Sequence, residues 1–288
     1  MANEPELIAD YVCVCGEGPL WHSGENKLYW TDIDTQRIFR YDPNTGHHEA
    51  FDIGMRVGGF TAQSDDSLLL FMDRGAVHTW RDGEMSPVLE YIPEEIDTRF
   101  NDVIADPAGR VFCGTMPSKN GPGRLYRMDL DGTITCVLEG IGCSNGMGFT
   151  PDRKQMYYTD TAKHEIYIFD YDVATGEISN KRVFADIPGP GAPDGMTVDS
   201  EGHVWTALWG GHGVLRLGEH GEEIARIPFP APKCSCITFG GEDHADMYVT
   251  TAGGNVRDQD GPFAGALYRL RGHGYRGVPE FRSRIGLG

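Results

Sequence analysis

The chain is short of positive charge. Its 288 residues hold 25 lysines and arginines against 43 aspartates and glutamates, a formal net charge of −18 at pH 7. Such a surface lacks the basic stripe that a nucleic-acid backbone requires of its partners, and it is disfavoured at an anionic membrane. No stretch approaches 18 consecutive apolar residues, so no membrane-spanning helix is expected. The first ten residues carry Glu4, Glu6 and Asp10 and no basic segment, unlike a secretory leader. Long amphipathic helical patterns are missing too. So are H-E-x-x-H and the glycine-rich phosphate loops that open a helix, which removes the usual zinc-protease and nucleotide-binding signatures. A serine nucleophile is not expected. Seven cysteines, an odd number without C-x2-C spacing, argue against a disulfide framework and for a reducing, cytoplasmic setting. Cys13 and Cys15, like Cys234 and Cys236, read as small buried residues sharing one face of a strand.

What the chain does have is glycine, 39 residues of it, and a repeat. Glu17-Gly-Pro-Leu-Trp-His-Ser-Gly-Glu-Asn-Lys-Leu-Tyr-Trp-Thr-Asp32 is an apolar run, a polar turn and a second apolar run. The same shape restarts at Gly59, Asn101, Asn145, Asp194 and Cys236, at intervals of 42–49 residues. Most units continue with a third strand such as Gln36–Tyr41 or Gly123–Met128, then an Asp-Gly or Thr-Gly turn and a fourth strand. The strands are short, alternating and rich in Val, Ile, Tyr, Phe and Trp. Units of this size match four-stranded propeller blades. The expected fold is therefore all-β: a six-bladed β-propeller of four-stranded antiparallel blades around a central channel, one domain over residues 1–288. Leu7–Val12 reads as a further strand that would complete the last blade and close the ring.

In such a ring the first strand of each blade lines the channel. Equivalent starts would set Glu17, Gly59, Asn101, Asn145, Asp194 and Cys236 around one end. Four of these bear oxygen. Two facing carboxylates repel, and crowded carboxamides go unpaired. A divalent cation would resolve both problems; a water-filled channel with solvated side chains fits the repeat equally well. Oxygen ligands suit Ca²⁺, Mg²⁺ or Mn²⁺, with Zn²⁺ and Fe²⁺ also possible.

The segments Gly16-Glu-Gly-Pro-Leu-Trp21, Arg99-Phe-Asn-Asp102, Ser144-Asn-Gly-Met147, Pro193-Asp-Gly-Met196 and Trp205-Thr-Ala-Leu-Trp-Gly-Gly211 together resemble the senescence marker protein/gluconolactonase family, which includes regucalcin and sugar-acid lactonases. The likeness runs from about residue 11 to 270. It implies one divalent metal in the channel, with Glu17, Asn145 and Asp194 as ligands, and Arg99 and Asn101 contacting the substrate. Mammalian members carry an acidic stretch after the position of Gly114-Thr-Met116; this chain reads Pro117-Ser-Lys-Asn120, so substrate preference does not transfer. Ser118 and Lys119 are read as a solvated loop.

The implied activity is metal-dependent opening of a sugar (aldono-) lactone to its acid. A bound cation would polarise the carbonyl, and Asp194 would combine ligation with general-base help to water. Rival readings on the same scaffold are a phosphotriesterase-like hydrolase and a non-catalytic, calcium-binding regulatory propeller. The expected partner is a small-molecule lactone, without nucleic acid or membrane, and the expected assembly a monomer or small homo-oligomer. Trp205 and Trp209 share an alternation phase and are expected in the core; His212 is expected in a surface loop.

Overall fold

Strand alternation and turn chemistry produce a ring. The computed structural model describes residues 4–286. It contains six four-stranded antiparallel sheets. In the first, the strands Gly16–His22, Lys27–Asp32, Arg37–Tyr41 and His48–Asp52 follow one another outward from the channel. The innermost strands of the next five blades are Val57–Ala62, Phe100–Ala105, Ser144–Phe149, Ala192–Val198 and Cys234–Gly240. Glu6–Ala9 forms the outer edge of the sixth sheet, pairing Glu6 with Arg269 and Leu7 with Tyr268. This joins the first and last parts of the chain in one blade. The ring is the six-bladed β-propeller expected from the repeat. No helix among the described residues is long and apolar enough to cross a membrane.

Burial follows position in the blade. Inner strands are almost wholly buried, because blades pack against both of their faces. The outer strand His48–Asp52 alternates between exposed and half-buried residues. Six apolar clusters fill the wedges between neighbouring blades. The one joining the last blade to the first contains Trp30, Phe39 and Tyr248. Hairpins joining inner and second strands turn on aspartates. Asp106 accepts from the Ala108 and Arg110 amides at 2.8 and 2.9 Å, and Asp199 from those of Glu201 and His203 at 2.9 and 3.0 Å. Gly109 and Gly202 complete two of these turns at φ of 93° and 87°, where an L side chain is strained.

The sequence pattern does not announce the C-terminal segment 276–286, which has no strand alternation. It runs across the hairpin end of the channel and touches all six blades. Ser200 N donates to Arg276 O (2.8 Å), and Gly277 N to His244 O (2.9 Å). Phe281 meets Phe149 edge-on, and Arg282 reaches Ser23 and Asp66. Ser283 N donates to Ala62 O, and Arg284 N to Gly109 O, both at 2.9 Å. Ile285 is 2% exposed and packs with Leu69, Phe71 and Ile92. The segment thus lies across one end of the channel. Above it remains a cavity of about 100 Å³, lined in part by Val278, Glu280, Thr61 and Asp102. Ile285→Ala should lower unfolding free energy by about 2–5 kcal/mol, as for other buried isoleucines. Urea unfolding checks this, and an unchanged midpoint would mean the strap is ornamental to the ring.

Candidate active site

Register, rather than repeat spacing, decides which residues share the channel end. Every inner strand carries a bulge near its start. The shifts fall between Glu17 and Leu20, Val57 and Gly59, Phe100 and Val103, Ser144 and Met147, Pro193 and Met196, and Cys234 and Cys236. Aligned on these pairings, one ring of equivalent positions holds Glu17, Gly58, Asn101, Asn145, Asp194 and Ser235. The equal 42-residue spacing therefore misplaced two blades by one residue: Gly59 and Cys236 belong to the following ring. Gly58 has no room for a side chain, since a Cβ there would lie 2.1 Å from Phe100 O. Ser235 Oγ is turned into hydrogen bonds with Gly16 O and, at 3.0 Å, Thr250 Oγ1.

The linkers entering these strands are pinned by carboxylates at the ends of second strands. Asp32 accepts from the Val14 and Cys15 amides at 3.1 and 3.0 Å, just before Glu17. Asp160 accepts from Gly142 and Cys143 at 3.1 and 2.9 Å, just before Asn145. A relay of hydrogen bonds then fixes the amides. Thr161 Oγ1 donates to Pro193 O at 2.7 Å, so it accepts from Asn145 Nδ2, also at 2.7 Å. That sets the Asn145 carbonyl oxygen towards Asn101, whose Nδ2 donates to it at 2.8 Å and to Ser144 O at 2.7 Å. Arg99 Nη1 closes the chain by donating to Asn101 Oδ1 at 2.5 Å and Phe100 O at 2.9 Å. Asn145 Oδ1 keeps a second lone pair. Arg99 keeps its Nε and Nη2 donors without a partner among the described residues.

Glu17 and Asp194 are both 3% exposed. Burial raises both carboxyls well above their ordinary values, and mutual repulsion adds to it: Asp194 and Asp102 act on Glu17, and Asp102 acts on Asp194. Backbone donation from Gly18 and Gly195 opposes the shifts, as does the Arg99 charge. Asp102, read in the sequence only as part of a motif, is the third member. Burial pushes it up to about 7 against the pull of Arg99. A two-residue strand period would turn Asp102 away from Asn101's side; the bulge between Phe100 and Val103 is what admits both.

Three buried carboxylates thus meet one guanidinium. Fully ionised, they leave an excess of two negative charges, which suits a divalent cation. Glu17 and Asp194 offer carboxylate oxygen and Asn145 a fixed carbonyl, a donor set for a hard cation. Among the described residues no three Asp, Glu, His or Cys side chains are spaced to hold a metal by themselves. A cation here would therefore use the carboxamide and water as well.

Other residues fall away from this site. Ser118 and Lys119 lie in an exposed loop, where Lys119 Nζ is 3.7 Å from Asp97. Trp205 is fully buried as expected, but Trp209 is 37% exposed, because it ends its strand at the channel mouth, with Lys233 Nζ 5.8 Å from its ring. His212 is exposed. All seven cysteines are free thiols. Gly142-Cys-Ser-Asn-Gly146 has the letters of a serine-hydrolase motif. Ser144 is nevertheless fully buried on a strand, with Tyr158 OH donating to its Oγ at 2.8 Å, and no elbow presents it.

Fold and site together define a six-bladed propeller with an acidic, oxygen-lined channel end beside a fixed arginine. The chain belongs to the SMP-30/gluconolactonase/LRE-like family, whose model matches residues 15–253. It is 47% identical to the pentonolactonase XacC of Haloferax volcanii over 98% of each chain. It is 32% identical to chicken (Gallus gallus) regucalcin, over 92% of this chain and 93% of that protein. In fold it is similar to a calcium-binding protein, regucalcin, from Agrobacterium tumefaciens strain C58, with a TM-score of 0.91 at 24% identity over 98% of each chain.

Proposed function

We propose that the protein is a sugar lactonase that opens an aldonolactone to the sugar acid with the help of one divalent cation. The observation that carries this reading is the excess of two negative charges among Glu17, Asp102, Asp194 and Arg99 beside the oriented Asn145 carbonyl. The family membership and the pentonolactonase likeness support the choice of lactone over phosphotriester.

Glu17, Asn145 and Asp194 would hold the cation, which supplies Lewis-acid polarisation of the ester carbonyl. The chain's own residues do the rest. Arg99 offers Nε and Nη2 to substrate hydroxyl or carbonyl oxygens, in the planar fork that suits such acceptors. Asn101 holds Arg99 in place through its Oδ1 and the ligand amide through its Nδ2. Water attacks the carbonyl carbon, and an Asp194 carboxylate oxygen accepts one of its protons. The ring C–O bond then breaks and that proton passes to the departing ring oxygen.

The test is a panel of γ- and δ-sugar lactones with phosphotriesters beside them, assayed for acid release after metal stripping and restoration one cation at a time. Restored lactone opening is expected. Phosphotriester turnover exceeding that of every lactone would overturn the reading.

The pKa directions give a second expectation. A carboxyl whose folded pKa is raised contributes stability at low pH, and loses it as pH rises through the folded value. Glu17, Asp102 and Asp194 should therefore destabilise the cation-free protein progressively from about pH 4 upward, for Asp102 through about pH 7. A cation competes with those protons, so it stabilises most where they have left. The rise in melting temperature on adding the cation should be larger at pH 8 than at pH 5; an equal rise would contradict the assignment.

A further inference from the structure

The second ring of bulge positions is Gly18, Gly59, Asp102, Gly146, Gly195 and Cys236. Four of the six are glycine, and at two of these the neighbouring inner strand forbids anything larger. A Cβ at Gly146 would lie 2.6 Å from Met196 N, and one at Gly195 2.2 Å from Cys236 Sγ. Only the third blade carries a charge at this level. Asp102 is 8% exposed, yet no hydrogen bond or ion pair reaches its carboxylate among the described residues. It lines the channel cavity, as does Gly18, the neighbour of Glu17, whereas Glu17 and Asp194 do not. The buried carboxylates at the hairpins and strand ends are satisfied: Asp32, Asp106, Asp160 and Asp199 each accept at least two hydrogen bonds, whereas in the channel Glu17 accepts, among the described residues, only from Gly18 N at 3.1 Å. An unpartnered buried carboxylate is strongly unfavourable unless something compensates it.

We infer that Asp102 is a positioning residue of the cation site, a third carboxylate that acts from the cavity side through water. Direct ligation is not needed: no three acidic side chains are spaced for a common metal among the described residues, and the cavity beside Asp102 is large enough for water. The inference rests on the cation reading above, and adds to it a side chain outside the Glu17, Asn145 and Asp194 set. Outer carboxylates of this kind commonly change metal affinity by 10–100-fold when removed.

The test compares the full-length protein with Asp102→Asn, at pH 8, using Mn²⁺ as probe and titration calorimetry as readout. Asp102→Asn should weaken Mn²⁺ binding by about 10–100-fold. In EDTA the variant should melt higher than the parent, because an uncompensated buried charge has gone, and Mn²⁺ should raise its melting temperature less. A merely structural Asp102 would give the opposite pattern, with a lower melting temperature in EDTA and an unchanged Mn²⁺ affinity, and that result would overturn the inference. So would a variant that fails to fold. If the parent itself binds no Mn²⁺, Ca²⁺ or Zn²⁺, the cation reading fails first, and Asp102 with it.

Discussion

Asp194→Ala is expected to abolish tight divalent-cation binding and to lower lactone turnover by at least about 10²–10³-fold, the scale seen when one electrostatic contact to developing charge is removed. The expectation follows from where the side chain sits. Asp194 is 3% exposed, held at the bulge of the fifth inner strand, and repelled by the neighbouring carboxylates of Glu17 and Asp102. It is also the group assigned the proton from water, so two functions are lost at once. The fold should survive: truncation removes a buried charge from a repelling set, which offsets part of the lost packing. A metal-stripped Asp194→Ala protein should thus melt at or above the parent's temperature. A variant that keeps both turnover and cation affinity would place the chemistry elsewhere.

Gly58→Ala should cause a large loss of stability, because its methyl group would meet backbone. The new Cβ would lie 2.1 Å from Phe100 O, 2.4 Å from Phe100 C and 2.9 Å from Asn101 N. All three are backbone atoms of the adjacent inner strand, so no side chain can swing aside. The overpacking cost should reach the upper end of the usual range, about 3 kcal/mol, or roughly 6–12 °C in melting temperature for a chain of this size. Relief must come from moving Phe100 and Asn101, and Asn101 carries the bonds to Arg99 and Asn145. Lactone kcat/KM should therefore fall along with stability. A melting temperature within about 2 °C of the parent, with normal kinetics, would show that the two inner strands are not held as closely as described.

The ring was legible because its strands are short, alternate and recur at a nearly fixed interval. The same regularity misled at Gly59 and Cys236. A bulge inserts a residue without any signature in the interval, and only strand pairing reveals that Gly58 and Ser235 stand level with Glu17. Asp102 was hidden by the rule that made the strands visible. Alternation sends neighbours to opposite faces, and a bulge suspends that rule at one point. The C-terminal strap was illegible for a different reason. Its contacts to six hairpins come from backbone amides and from single side chains such as Ile285, and neither leaves a period in the sequence. Trp209 kept the alternation phase of Trp205 but lies where the strand leaves the sheet, so phase no longer implied burial.

The proposed cation lies between Glu17, Asn145 and Asp194. Diffraction from crystals of the protein soaked in Mn²⁺, recorded on both sides of the manganese absorption edge, tests it directly. One anomalous peak is predicted at the open channel end, within about 2.0–2.6 Å of oxygens from all three side chains. No peak there at saturating Mn²⁺, or a peak only on the acidic outer surface, would contradict it.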